Sequence, residues 1–336
     1  MIPDTLLRLA INRLALRPAE KLGLEDLVDS EVFFRALTPS LLSHIVGRSV
    51  THMEVGADQL LLQAERDMRY LTSRGCHALS LRDRRYPALL REIYDPPYLL
   101  YVRGVLPAGT LPSVAIVGTR DPGVAAVIAA RELARGLAAA GITVVSGLAR
   151  GIDVAAHQGA VEAGTSAAVL ASGVDLITPS ANRHIAAAIL DRGGYLASEY
   201  APGVPPLKYH FPARNRIISG VARGVVVVQA PAKSGALITA DYALDQGRDL
   251  FVHRDGLEGM RGAGSAELAA DGAMIVGCAD DILAEWGLGA AADAGVAFGG
   301  CSAAACGPDT EAHTTTEAAR RRIELVRRSM SGEATR

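Results

Sequence analysis

From Ser113 onward the sequence alternates short apolar runs with stretches of helical spacing. The runs are SVAIV, ITVVS, SAAVLAS, GYLASEY, GVVVVQA, DLFVH and AMIVG. Parallel strands need crossover helices, and those helices cover both sheet faces, so such strands read as continuous apolar runs. The pattern therefore predicts an α/β fold, a Rossmann-like, doubly wound and mostly parallel sheet over about 113–286. Ligands of such sheets bind beyond the carboxyl ends of the strands. Composition agrees: the chain is 49% hydrophobic but only 4% aromatic, and small residues let helices lie close on a sheet.

The flanks read differently. LLRLAINRLAL, VFFRALTPSLLSHIV and ADQLLLQAERDMRYLTSRG carry apolar residues at helical spacing, so residues 1–75 are expected to form a small all-helical domain. Residues 76–112 read as a connector rich in turn signals, with Tyr86-Pro87 and Pro96-Pro97 before the strand-like YLLYVRG. Residues 287–311 are rich in Gly and Ala and read as a linker. Thr314 and Glu317 would cap a short basic C-terminal helix, EAARRRIELVRR, so 287–336 is expected to be linker and helix.

Four cysteines, Cys76, Cys278, Cys301 and Cys306, form no CxxC pair, which excludes a disulfide framework and fits a reducing cytosol. No metal site is expected at Cys301 and Cys306, for want of partners at ligand spacing. No signal peptide and no run of 18 apolar residues is present, so a cytoplasmic protein without membrane contact is expected. The net charge of −2 requires any anion-binding surface to be local.

Three loops at predicted strand ends share a chemistry. The first holds Gly118, Thr119, Arg120 and Gly123. The second holds Ser146, Gly147, Arg150 and Gly151. The third holds Lys233, Ser234 and Gly235 at a helix start. Glycines let backbone N–H groups approach an anion, helix N-termini add donors, and Arg or Lys supplies full charge. Between Tyr200 and Ala240 there is no acid among five cations, in a chain with 36 acids. That interval contains HFPARNRIISG, with Phe211, Arg214, Asn215 and Arg216.

Alternative roles stand beside these. Asp121, Asp153 and Glu199 are possible internal partners for the cations, Arg216 above all, and Arg150 either binds phosphate or pairs with Asp153. Phe211 either faces the ligand or anchors the core beside Pro212. His157, on a predicted helix, reads as structural. Gly118 and Gly123 do not make GxGxxG, no acid ends the strand ITVVS, and Lys233-Ser234 lacks the leading glycine of a P-loop. Neither a dinucleotide site nor a nucleoside-triphosphatase is supported, and no nucleophile elbow is present.

IVGTR, SGLARGIDVAAHQGA, FPARNRIISG and KSGALITADYALDQG resemble, in order and spacing, the DprA/Smf family of DNA-processing proteins. YPALLREIYDPPYLLYVRG matches the family's approach to its first strand. The resemblance covers about 80–285. It implies an extended Rossmann-like DNA-binding domain over 76–286, and a SAM/helix-hairpin-helix-like N-terminal domain. It further implies binding of single-stranded DNA, a homodimer, and loading of RecA recombinase in natural transformation, with no cofactor and no catalytic residue. Arg120, Lys233 and the Arg214-Asn215-Arg216 cluster would line one pocket, with Phe211 stacking on a base.

The chain departs from the family pattern in three places. Gln229 stands where an acid is usual, His253-Arg254 replaces Pro-Gly, and the Asn of the following Gly-rich turn is absent. The tail after 287 does not read as the winged helix of many members. Two rival classes remain: a nucleotide-processing Rossmann-like enzyme, and a nucleotide sensor using the same loops.

Overall fold

The structure is a computed structural model that describes residues 5–51, 55–106 and 112–288. Among them, nine strands form one sheet: β1 (Cys76–Ser80), β2 (Leu99–Gly104), β3 (Ser113–Val117), β4 (Thr143–Ser146), β5 (Ser166–Val169), β6 (Tyr195–Ser198), β7 (Gly224–Val227), β8 (Asp249–His253) and β9 (Met274–Val276). Their order in space is β1-β2-β6-β5-β4-β3-β7-β8-β9. All pairs from β6 across to β9 are parallel, with Val114 opposite Val144 and Val117 opposite Val227. β2 joins β6 and β1 joins β2 antiparallel.

The helices are α1 (Thr5–Asn12), α2 (Pro18–Leu27), α3 (Glu31–Arg35), α4 (Pro39–Val46), α5 (Ala57–Ser73), α6 (Ala88–Arg91), α7 (Val124–Ala139), α8 (Ile152–Ala163), α9 (Arg183–Asp191), α10 (His210–Val221), α11 (Gly235–Asp245), α12 (Gly259–Ala270) and α13 (Ala279–Glu285). Side chains alternate across each strand. Val144 therefore packs with α7, α8 and α13 on one face, while its neighbour Val145 packs with α10 and α11 on the other. Both are fully buried, which is why these strands read as unbroken apolar runs rather than alternating ones. The sheet is thus α/β and doubly wound, as the alternation predicts.

Chain order reverses at β3, which lies between β4 and β7. The loops after β3 and β7 therefore open a crevice at the carboxyl edge of the sheet, the switch point where such folds bind ligands.

Two expectations need correction or limit. The segment 76–112 is more than a connector, because Cys76–Ser80 forms β1. CHALS holds no β-branched residue, and its partner lies about twenty residues downstream, so no local pattern marks it. The expected helices before 75 are present, but their core is not theirs alone: Leu9, Phe34 and Leu61 share one buried cluster with Tyr98, Leu99 and Tyr101 of the sheet edge. The expected C-terminal helix, its Thr314–Glu317 cap and the Cys301 and Cys306 positions lie outside the described residues.

Candidate functional site

The three glycine-bearing loops do come together at the carboxyl edge, but their backbone donors are largely filled from inside. In the β3 loop, Thr119 N–H donates to the Gln229 carbonyl at 2.7 Å. Gly123, at the start of α7, donates to Gln229 Oε1 at 2.8 Å. Gly118 is packed against Ile152 and the Gln229 backbone, where a Cβ would collide. Gln229 thus ties β7 across the switch point to the β3 loop, and its side chain takes the place an anion would take at the start of α7.

The β4 loop is folded around its own acid. Asp153 Oδ2 accepts the N–H groups of Gly147 at 3.1 Å and Ala149 at 3.2 Å. Gly151 has φ +84°, a conformation that only glycine adopts without strain, and it lets Ile152 N–H reach the Thr119 carbonyl at 3.2 Å. Ser146 does not face the crevice; its buried hydroxyl donates to the Ile116 carbonyl at 2.7 Å. In the third loop, Ser234 Oγ caps α11 by accepting from Ala236 N–H at 3.2 Å, and Gly235 is exposed.

The Arg214-Asn215-Arg216 cluster is not a phosphate-facing group. Arg214 is only 4% exposed. Its Nη1 donates to the carbonyl of Gly147 at 2.9 Å and to that of Val169. Burial pushes its pKa down to about 10, an effect that Asp153 opposes. Asp153 is itself shifted upward by burial, with Arg214 and the loop N–H groups pulling the other way. Asn215 Nδ2 donates to the Gly235 carbonyl at 3.2 Å. Arg216 forms a two-pronged ion pair with Glu199, at 2.9 and 2.7 Å, and a further contact with Asp95 at 3.3 Å. Burial alone would lower the Arg216 pKa, but the two carboxylates outweigh it and the net shift is upward. Of the three acids offered as internal partners, Glu199 is the one that pairs with Arg216, which therefore does not stand free for phosphate.

What remains facing solvent is a smaller set. Arg120, Arg150 and Lys233 are exposed and form no ion pair among the described residues. The Arg120 guanidinium lies 5.6 Å from the ring of half-buried Phe211, within cation–π reach. Arg150 does not pair with Asp153, which points inward. His157 is buried, bonded to Ser166 at 2.7 Å, and its pKa falls to about 3 through burial, so it is structural as expected.

Sequence reasoning passed over two residues. Lys208, exposed three residues before Phe211, belongs with the free cations. Its signal was present in the acid-free interval. Gln229 stood out only as a departure from the family pattern, and nothing in the sequence told of its bond to Gly123. Neighbouring loops are also stitched together. Asn182 Nδ2 donates to the Leu148 carbonyl at 2.9 Å, and Tyr200 stacks on His210 with ring centroids 3.8 Å apart at the start of α10.

Comparison with known proteins is consistent with this architecture. The family described as DNA recombination-mediator protein A matches residues 77–287. The DNA processing protein DprA of Streptococcus pneumoniae is 40% identical over 210 residues, 62% of this chain and 74% of that one. Protein Smf of Escherichia coli is 39% identical over 220 residues, 65% of this chain and 59% of that one. The X-ray structure of the pneumococcal DprA has a TM-score of 0.68 at 32% identity, covering 85% of this chain and 99% of that chain. A structure of Helicobacter pylori DprA, described for its single-stranded DNA binding mode, has a TM-score of 0.55 at 28% identity, covering 63% of this chain and 95% of that chain. The chain belongs to the DNA recombination-mediator protein A family.

Proposed function

We propose that this protein binds single-stranded DNA at the carboxyl edge of its sheet and delivers it to RecA recombinase, as in natural transformation. The observation that carries the reading is the group of exposed, unpaired cations Arg120, Arg150, Lys208 and Lys233 on loops around the β3–β7 switch point of a family member. Phosphates would meet these cations, which attract any sequence equally. Phe211, already under Arg120, would offer one ring face to a base. The single-stranded DNA binding described for the Helicobacter pylori relative supports this reading.

The reading makes the protein a binder rather than an enzyme. His157, Asp153 and Ser146, the side chains near the loops that could act as base or nucleophile, are buried and bonded internally. It also takes residues 1–75 as an accessory helical domain, 76–286 as the DNA-binding domain and 287–336 as a tail. It places the protein in the cytoplasm as a homodimer. Two linked pockets raise effective concentration, so one strand spanning both binds more tightly than a short one.

Titration with mononucleotides and with oligonucleotides of rising length tests this. Affinity is expected to climb with length, mononucleotides to bind barely, and nucleotides and DNA to remain intact. Tight mononucleotide binding without length dependence would favour a nucleotide sensor, and turnover would favour an enzyme. Light scattering and a filament assay with the host RecA test the dimer and the hand-over.

A further inference from the structure

Beneath the exposed cations lies a group of buried polar side chains that the binding reading does not use: Asp153, Arg214, Asn182 and His157. Burying a guanidinium is costly unless good hydrogen-bond geometry offsets it. Here the return is local order. Arg214, from α10, reaches two carbonyls at the ends of different strands, Gly147 after β4 and Val169 of β5. It fills the space a side chain at Gly147 would need: a Cβ there would sit 2.6 Å from Nη2 and 2.7 Å from Cζ. Asp153 accepts the N–H groups of Gly147 and Ala149 in the same loop. The β4 loop is thus held through its carbonyl by a cation and through its N–H groups by an anion. Next along α10, Asn215 holds the Gly235 carbonyl, two residues from Lys233. Phe211, under Arg120, is one turn earlier on the same helix.

We infer that Arg214 and Asp153 form a buried positioning pair that holds the β4 loop against α10, so that Phe211 on that helix meets the strand while Arg214 itself touches no phosphate. This rests on the single-strand reading above, but it makes a different prediction for the arginine. A residue that contacts phosphate changes the salt dependence of binding; one that positions others changes affinity at every salt concentration. A lysine cannot replace Arg214, since a single ammonium lacks the planar fork that serves both carbonyls.

The test compares the parent with Arg214→Met, Arg214→Lys and the paired variant Asp153→Asn/Arg214→Met, using a twenty-residue oligothymidylate over a series of salt concentrations. The pair removes both charges together, so it stands in if Arg214→Met alone leaves Asp153 uncompensated and fails to fold. In the folded fraction, Kd is expected to rise about tenfold in all variants, with the parental log–log slope retained. Amide exchange over 147–151 is expected to quicken by about tenfold without DNA. A slope flatter by about 0.7, the signature of one lost phosphate contact, would overturn the proposal. So would an unchanged Kd with only the binding stoichiometry reduced, or unchanged exchange protection in the loop. If the parent itself binds no oligothymidylate, the single-strand reading falls with it, whereas a binding parent with flattened variants removes only the positioning role.

Discussion

The carboxyl edge of the sheet and the seam between the helical segment and the sheet both carry several cations, yet they use them in opposite ways. At the seam, Arg8 pairs with Glu25, Arg13 with Asp67, Arg48 with Glu20 and Arg216 with Glu199. At the edge, Arg120, Arg150, Lys208 and Lys233 are exposed and form no ion pair among the described residues. The first arrangement closes charge within the fold; the second leaves charge available to a partner. Helix α10 borders both regions. Arg214 and Arg216 are two residues apart, about 200° around a helix, so they point in opposite directions. One enters the strand ends and the other meets Glu199 at the seam. Density of cations in sequence is therefore a poor guide to a binding surface; the absence of a folded-state acid is the better one.

The strongest break of this contrast is charge reversal at the edge. Arg120→Glu with Lys233→Glu should weaken oligonucleotide binding by on the order of a hundredfold or more, because two attractive contacts become repulsive. Stability should hardly move, as neither side chain has an internal ion partner. Fluorescence anisotropy and thermal melting read the two effects separately.

At the seam the outcome should invert. Arg216→Ala removes the guanidinium that both Glu199 and Asp95 contact, leaving Lys21 as their neighbouring positive charge. A loss of roughly 2–3 kcal/mol of stability is expected for breaking a partly buried, two-pronged pair. Denaturant unfolding measures it, and the Kd of the folded protein for DNA should stay within about twofold of the parent.

A smaller effect is expected from Gln229→Glu. The new carboxylate can keep the bond from Gly123, but it puts negative charge into the β3–β7 crevice. Binding should weaken by about tenfold at low salt, with the difference narrowing as salt screens the charge. Equal affinity in parent and variant would mean that the strand does not approach the crevice.

The smallest effect concerns Lys21, in the seam beside Tyr98. Its ammonium donates to the Asn12 carbonyl at 2.6 Å, and burial lowers its pKa to about 8, with Glu199 and Asp95 resisting the shift. Between about pH 8 and the ordinary lysine value of 10.5, the unfolded chain holds a proton that the folded one has released. Parental stability should therefore rise with pH through that window relative to Lys21→Met. Melting temperatures of the two proteins that stay parallel from pH 7 to 10 would show that Lys21 is not held in a desolvated site.

Much of this molecule was legible before folding was considered. The apolar runs from SVAIV to AMIVG became β3 to β9, because strands covered on both faces cannot hide their composition. β1 was not legible, since CHALS is stabilised by its register against β2 and not by its own residues. At the candidate site, the exposure of Arg120 and Lys233 on glycine-bearing loops at strand ends agrees with what the sequence suggested. The roles of Arg214 and Arg216 could not be read there, because they depend on which side of α10 faces the strand ends, and only the packing of that helix decides it. Gln229 was visible as an oddity but not as a brace, since its partner lies 106 residues away.

Phosphates are expected to meet the unpaired cations of the sheet edge and not the paired ones of the seam. The salt dependence of oligonucleotide binding tests it most directly. With three to five phosphate contacts, the parent should give a log–log slope of roughly −2 to −3.5, at about 0.7 per contact. Arg120→Ala and Lys233→Ala should each flatten it by about 0.7, while Arg216→Ala leaves it unchanged. A slope that flattens for Arg216→Ala but stays parental for Arg120→Ala and Lys233→Ala would contradict the account.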